Sequence, residues 1–453
     1  MTTSTHPAPD LLDDGVLLEL NGDPAFPDEV QNEAETVAER IRSASLPGKD
    51  LSHLCAIAVD DPDTVEVDDA LAVETIPGGR KVHVLISNAA AWIPPDGPMD
   101  REACRRASTI YHPVDRCPML PEVLSSDLLS LREGELRDVI DHQLSFDHEG
   151  RLFDVRVFRA VAKVHKRLGY EEAEALLVAT DDPGDPVNSA LVALRDLALL
   201  MAESRYARGA LQFFPREPRL RVVDGRPVLK VIDTFSMSRR LVQEFMVCAC
   251  TGVGALLHEH RIPCIFRIQS EPEIPISWNL ADARRPAFIL RSVRQLRRAE
   301  VSLQPGRHAA LGVDQYTQIT SPLRRYSDLM VQRQIFHWMR SGVGLYREGD
   351  LLARMADLED RMLKIRRAMA EADRFWILAI LRDLAGSQVQ AEVSEVLSSS
   401  ALVFLPEFGI QTRVFPKRTL QEGEMLRLQI IRADPVEDKL VLREPAKTCE
   451  SGS

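Results

Sequence analysis

The chain has 453 residues, 45% of them hydrophobic and 27% charged, a balance that excludes a fibre, a disordered chain and a membrane-spanning protein. Its length predicts several domains rather than one. The formal net charge of -12 argues against nucleic-acid binding over the whole exterior, although a local positive channel can coexist with an acidic surface.

Residues 1–50 form a short acidic lead-in, read as a mainly helical segment of helix-turn-helix-like form. Ala25-Phe26-Pro27-Asp28 looks like a helix start, and Val30 to Ile41 carries helical periodicity. From Leu54 the pattern changes. Cys55 to Val59 is a compact apolar run ending in a carboxylate, and Val82 to Ile86 is a second strand candidate. Between them, Val65 to Val73 mixes acidic and apolar positions. Helices are predicted at Glu171–Leu177, Ser189–Tyr206, Arg239–His258, Arg325–Arg340 and Asp350–Leu384. Leu191 to Ala202, the most apolar helical run on this reading, contains Arg195 and Asp196 and is too short to cross a membrane.

After Gly386 the character shifts again. Gln388–Val396, Ser400–Leu405, Ile410–Phe415, Met425–Ile431 and Lys439–Leu442 are short strand-like runs separated by turn residues, as in a small barrel of oligonucleotide-binding type. The expected fold is therefore α+β: a mixed α/β module over 51–385, a small all-β barrel over 386–446, and a disordered tail over 447–453. Seven cysteines, scattered apart from Cys248 and Cys250, fit a reducing cytoplasm, and Met1 to Asp14 hold no apolar stretch of signal-peptide length. The expected location is cytoplasmic.

The stretch Ala58-Val-Asp60-Asp-Pro-Asp-Thr-Val-Glu66-Val-Asp68-Asp69 needs a chemical reason. A strand ending at Asp60 and a loop returning through Glu66, Asp68 and Asp69 can aim several carboxylates at one place, which is unfavourable without cations. Hard divalent ions take such oxygen ligands, and two ions about 4 Å apart suit in-line displacement at phosphorus. An acidic surface loop is the bland alternative. A calcium loop fails, because no Gly lies at the sixth position after Asp61 or Asp63.

A second stretch is Thr320-Ser-Pro-Leu-Arg324-Arg325-Tyr326-Ser-Asp328. Ser321-Pro322 is expected to open a helix with Arg324 and Arg325 in its first turn, against the dipole preference for acidic residues there. An anionic partner such as phosphate accounts for that placement. A structural salt bridge with Asp328 is the alternative.

Together these stretches resemble the RNB family, the catalytic module of ribonucleases II and R, through most of 54–384. The likeness continues in order through His83-Val-Leu-Ile-Ser-Asn-Ala-Ala-Ala-Trp-Ile93, Tyr111, Pro118-Met-Leu-Pro121, Leu124-Ser125 and Ser130-Leu131. It extends through Arg208-Gly-Ala-Leu-Gln-Phe213, Glu244-Phe-Met246 and Thr320–Tyr326. Gln388–Arg443, with Leu405-Pro-Glu-Phe-Gly409, is similar to the S1 RNA-binding barrel that follows the module in that family.

The resemblance implies a 3′→5′ exoribonuclease of the ribonuclease II type, releasing nucleoside 5′-monophosphates by two-metal catalysis with Mg²⁺, or Mn²⁺ as a substitute. It places Asp60, Glu66, Asp68 and Asp69 at the metal site and Arg324 on the scissile phosphate. Tyr111 and Phe213 fall where aromatics stack on terminal bases, Glu244 where ribose hydroxyls are read, and Tyr170, Arg325 and Glu371 along the RNA path. The implied partners are single-stranded RNA 3′ ends and structured RNA with 3′ overhangs, with no membrane and nothing that demands more than a monomer. A catalytically weak RNA-binding or regulatory protein on the same scaffold is the alternative.

Three features depart from the family pattern. Glu66 stands where Asp is usual, so a shifted metal spacing with activity retained and Mn²⁺ favoured is expected. Gln269 and Gln332 stand in place of histidines. The residues before the module are too few for the two cold-shock barrels of ribonucleases II and R, and Pro27-Asp-Glu-Val resembles the linker that follows them. A more open RNA entrance is the expectation from this.

Overall fold

The computed structural model describes residues 25–445 apart from 180–183, 214, 224 and 280. The part of the N-terminal reading that falls on 1–24, and the tail at 447–453, lie outside the described residues.

In chain order the elements are α1 (Asp28–Ser43), β1 (Lys49–Asp50), β2 (Ala56–Asp60), β3 (Asp69–Ile76), β4 (Gly79–Ser87), α2 (Pro98–Arg106), β5 (Ile110–Tyr111), β6 (Arg116–Cys117), β7 (Leu136–Asp147) and β8 (Leu152–Gly169). Then come α3 (Tyr170–Val178), α4 (Pro186–Ala207), β9 (Arg216–Val223), β10 (Arg226–Asp233), α5 (Met237–Glu259), β11 (Phe266–Ile268), α6 (Pro286–Gln295), β12 (Glu300–Ser302), α7 (Tyr326–Ser341) and α8 (Glu348–Asp383). The chain ends with β13 (Gln388–Val396), β14 (Ala401–Leu405), β15 (Ile410–Val414), β16 (Met425–Asp434) and β17 (Lys439–Arg443). The architecture is the expected α+β, a mixed module followed by a five-stranded antiparallel, nearly closed barrel of OB-like form.

The six-stranded sheet of the module runs β1-β8-β2-β3-β4-β7 and closes on itself. Closure depends on the length of β8. Its first part pairs antiparallel with β7, and its last part, Val164–Gly169, runs parallel to β2. Alternate residues of these strands enter different cores, as the two-residue period requires. Ala56, Ala58, Ala70, Ala72, Leu85 and Val139 line the small inner core. Leu71, Val82, Val84, Ile86 and Ile140 face the helices instead. With both faces buried, β2 reads as a continuous apolar run, in keeping with a doubly covered strand.

Helix α1 does not stand apart from the module. Val30, Ala34, Val37 and Ala38 are buried in the module's main core, and Glu33 accepts the Met99 N–H at the start of α2 at 2.6 Å. At the other end, Ile377, Leu378 and Leu381 of α8 belong to the core of the barrel. That helix therefore joins module to barrel as one packed rod. The β9–β10 hairpin packs on the barrel too. Leu229 lies on the barrel core, and the Pro218 ring occupies the space a Cβ on Gly409 would need. Gly409 has φ 68°, a conformation that favours glycine for a second reason.

Helix α5, rather than Leu191–Ala202, is the described helix long and apolar enough to cross a membrane. Its composition reflects burial in the module, with Leu241, Phe245, Ala249, Cys250 and Val253 all in the main core.

Candidate active site

Two strand ends and a turn build the site. Asp60 ends β2 and Asp69 begins β3, while the loop between them carries Glu66 and Asp68. The turn 321–325 faces this loop from the other side. The Leu323 N–H donates to Asp68 Oδ1 at 2.9 Å, and Arg324 Nε donates to Asp68 Oδ2 at 3.1 Å.

The structure corrects the expected helix start at Ser321-Pro322. Residues 321–324 form a turn, Arg325 is extended with φ -134° and ψ 121°, and α7 begins at Tyr326. The backbone donors there have partners other than a helix. Asp328 Oδ2 accepts the Ser321 N–H at 3.0 Å, Asp68 takes that of Leu323, and the Ala107 carbonyl takes that of Tyr326 at 2.9 Å. Arg325 forms the salt bridge with Asp328, at 2.6 Å, that was the alternative to phosphate binding.

The four acidic side chains divide into two environments. Asp69 is half-buried, and its desolvation together with the charge of Asp60 pushes its pKa up to about 7. Burial also raises Asp60, opposed by Arg324, the Thr64 hydroxyl at 3.2 Å and Arg167. Asp60 and Asp69 thus face each other as like charges in a poorly solvated place, which a cation would relieve. Glu66 and Asp68 engage protein donors instead. Glu66 is 1% exposed and accepts from Tyr111 Oη at 2.7 Å and Thr109 Oγ1 at 3.3 Å, with Arg116 Nη1 also at 3.3 Å. Burial pushes Asp68 well above the usual carboxylate range, with Arg324 and the Leu323 amide pulling the other way. Burial works against the charge on Arg324, yet Asp68, Tyr111, Asp60 and Asp69 together hold its pKa above the ordinary arginine value.

Among the described residues no group of three His, Cys, Asp or Glu side chains is arranged to hold a metal ion. The donor set that does fit a hard divalent ion is the Asp60–Asp69 pair. Mg²⁺ ordinarily keeps several waters and needs only one or two carboxylates beside substrate phosphates.

The aromatic candidates fall in different places. Tyr111 is 48% exposed while its hydroxyl is tied to Glu66, so it is not a buried core aromatic. Tyr170, first residue of α3, directly follows Gly169, the strand partner of Asp60, and its pKa is raised by burial and then by the charges of Asp60 and Asp69. Phe213 lies half-buried before β9, edge-on to Phe288 at 6.4 Å. Glu244 is 3% exposed and paired with Arg205, whose Nε donates at 2.8 Å. Glu371 is on an exposed face of α8. Among the described residues no contact joins Phe213, Glu244 or Glu371 to the four carboxylates. Gln269 and Gln332 make structural hydrogen bonds. Gln269 donates to the Arg297 carbonyl at 2.7 Å and accepts from Ala310, and Gln332 donates to the Ser87 carbonyl at 2.7 Å and accepts from Ala90.

Residues that the sequence did not single out hold the surplus charge of the acidic loop. Asp61 accepts from Arg239 of α5 at 2.6 Å and meets Arg219 of β9 at 3.3 Å, while Asp63 pairs with Arg221. Arg167 reaches the Thr64 carbonyl. No local signal reveals these partners, because they lie more than a hundred positions away along the chain.

A self-closing mixed sheet with a carboxylate pair at its strand ends, faced by a turn carrying Arg324, defines the class. The RNB domain model matches residues 48–341, and the chain belongs to the RNB family. It is 30% identical over 405 residues to an uncharacterised ribonuclease of Synechocystis sp., covering 87% of this chain and 60% of that protein. It is 29% identical over 408 residues to the chloroplastic/mitochondrial ribonuclease II of Arabidopsis thaliana, covering 87% of this chain and 50% of that one. The chain thus spans between half and three-fifths of the length of these two relatives. In fold it is similar to the apo form of Mycoplasma genitalium ribonuclease R, with TM-score 0.80 at 21% identity over 95% of this chain and 78% of that one. A yeast pseudonuclease shares the fold as well, with TM-score 0.67 at 16% identity over 91% and 59% of the two chains.

Proposed function

We propose that this chain is a 3′→5′ exoribonuclease that hydrolyses single-stranded RNA to nucleoside 5′-monophosphates, including the 3′ overhangs of structured RNA. The carrying observation is Arg324, held by Asp68 at 3.1 Å yet 40% exposed, beside the half-buried Asp60–Asp69 pair. A guanidinium so placed can meet a phosphate at the acidic pair and stabilise charge that develops there. In this reading Asp60 and Asp69 hold the divalent cation, Mg²⁺ or Mn²⁺. Asp68 orients Arg324, and Glu66 anchors Tyr111.

A cation bound by the pair would supply Lewis-acid polarisation and an activated water, in one- or two-ion form. The protein's own part is positioning. Tyr111 offers a half-exposed ring to a base, and stacking of that kind tolerates any sequence. Phe213, Tyr170, Glu244, Arg325 and Glu371 would extend the RNA path, and the C-terminal barrel would act as an S1-type RNA-binding unit. Two of these roles require a change of partner. Glu244 would have to share its carboxylate between Arg205 and a ribose, and Arg325 its guanidinium between Asp328 and a phosphate.

The second reading, a catalytically weak RNA-binding protein, draws on the pseudonuclease that shares the fold. The intact carboxylate pair and Arg324 weigh against it. The test uses 5′-labelled RNA and DNA oligonucleotides with and without EDTA. Stepwise shortening of RNA only, lost in EDTA and in Asp69→Asn, is expected. RNA binding with no shortening in either Mg²⁺ or Mn²⁺ would establish the second reading instead.

A further inference from the structure

Asp60 and Gly169 are direct partners in the parallel pairing of β2 and β8. The next residue on each strand, Asp61 and Tyr170, therefore leaves the sheet beside the other. Arg239 spans both. Its Nη2 donates to Asp61 Oδ1 at 2.6 Å, and its guanidinium carbon lies 3.9 Å from the centroid of the Tyr170 ring.

The placement is not explained by helix stability. Arg239 sits in the first turn of α5, where a cation opposes the helix dipole. Its backbone N–H is already satisfied by the Ser236 cap. That same turn is pinned to α3. Ser238 Oγ donates to the Tyr170 carbonyl at 2.9 Å, and the Ser238 N–H donates to Glu174 Oε2 at 2.7 Å. The backbone of Tyr170 is thus fixed by Ser238, which leaves the ring's orientation to Arg239. The second oxygen of Asp61 meets Arg219, so Asp61 is fully engaged by arginines and turned away from acting as a fifth acid at the site.

We infer that Arg239 is a positioning residue: bound by Asp61, it locks the Tyr170 ring against the Asp60–Asp69 pair, so that the aromatic group and the acidic loop move as one. The inference rests on the proposed ribonuclease reading for its effect on rate, but the lock itself is a property of the folded protein. Arginine suits the task better than lysine, because its planar group can stack and accept a salt bridge at once.

Two measurements test it on the full chain. In single-turnover assays, Arg239→Met and Asp61→Asn are each expected to slow RNA cleavage about tenfold, with KM changed less than about twofold. Arg239→Lys should recover only part of the rate. In a Tyr170→Ala background, Arg239→Met should cost nothing further, because its effect passes through that ring. Penalties that multiply in that background, or full activity in Arg239→Met, overturn the inference. The second readout needs no activity. With six tyrosines in the chain, ¹³C-tyrosine NMR can isolate the Tyr170 ring signal by comparison with Tyr170→Phe. Arg239→Met and Asp61→Asn should both shift or broaden that signal in EDTA, and an unmoved signal overturns the lock. A wild type that cleaves no RNA, with both variants still shifting the Tyr170 signal, would sink the ribonuclease reading and leave the lock standing.

Discussion

Tyr111 donates its hydroxyl to Glu66 at 2.7 Å while nearly half of the residue stays exposed. The length of the Glu66 side chain lets it reach Tyr111, Thr109 and Arg116 together. The expected consequence differs from a change of metal. Shortening the side chain in Glu66→Asp should leave the Mg²⁺ and Mn²⁺ dependence of the rate superimposable on wild type. RNA affinity measured in EDTA should fall about tenfold, the equivalent of ~1.4 kcal/mol, because the stacking ring loses its charge-assisted anchor. A displaced metal optimum with unchanged affinity would return Glu66 to the metal shell.

Arg324 is 40% exposed, whereas Asp68 is 2% exposed. Removing the arginine therefore leaves a carboxylate that retains the Leu323 amide and has water within reach once the side chain is gone. Arg324→Gln should lower kcat by about 100- to 1000-fold, in the range of lost oxyanion donors. Loss of stability should be modest, since only the arginine end is open to solvent and Asp68, which burial already pushes well above the usual carboxylate range, can take up a proton once its partner is gone. Steady-state kinetics and thermal unfolding on one preparation separate the two effects. A large fall in Tm alongside intact kcat would make Arg324 structural.

Helices α1, α3, α4, α5, α7 and α8 and the five strands of the barrel were legible from their periodicity, whereas the short α2 and α6 were passed over, and Asp60, Asp68, Asp69 and Arg324 were legible as motif residues. The long β7–β8 hairpin was not. Strand β8 places Arg156, Lys163 and Lys166 among its apolar positions, and its two halves pair with different strands. The β9–β10 hairpin was passed over despite the Asp224-Gly225 turn signal, because Arg216–Val223 alternates charge with apolar groups on a strand that never enters the main core. Arg324 and Arg325 were placed in a helix that begins only at Tyr326. The carboxylates that unwind that turn, Asp68 and Asp328, act from a distant loop and from within α7, and no local pattern carries them.

His142 gives the stability an acid limb. It is buried on β7, its Nδ1–H donates to the Val84 carbonyl at 3.1 Å, and Nε2 has no partner among the described residues. Burial pushes its pKa down to about 4, below the ordinary value near 6.5. The unfolded chain therefore takes up a proton that the folded one refuses. Stability falls as pH drops from about 6.5 to about 4, by on the order of 3 kcal/mol at most. His83 has the opposite sign. Burial works against its charge, but Asp141 and Glu74 raise its pKa, so its contribution is complete below pH ~6.5 and is lost as pH rises through the folded value. Urea unfolding from about pH 7 to about pH 4.5 should show a shallower acid decline in His142→Asn than in wild type. Parallel declines would remove His142 from the account.

Arg333 and Asp100 join α7 to α2 by an ion pair at 2.6 Å with both side chains 1% exposed. Asp100 Oδ1 also accepts the Tyr326 hydroxyl at 2.9 Å, and Arg333 donates to the Ile93 carbonyl and to Tyr346 Oη, each at 3.1 Å. Tyr326 directly follows the two site arginines, so this network fixes where their turn ends and α7 begins. Breaking one side strands a charge without solvent, which costs about 3–5 kcal/mol, whereas removing both sides together leaves no buried charge at all. What remains in the double variant is the Tyr326 hydroxyl and the Asp96 N–H deprived of the acceptor Asp100, the hydroxyl alone at roughly 1–3 kcal/mol. Asp100→Leu should therefore be the most destabilised variant in a set with Arg333→Met and Arg333→Met/Asp100→Leu, because it strands the Arg333 charge and the hydrogen bonds that Asp100 accepts, and the double variant should regain the part due to the charge. Equilibrium unfolding of the four proteins measures the coupling directly. Losses that simply add would mean the two charges are solvated independently, and the buried pair could not then be what sets the start of α7.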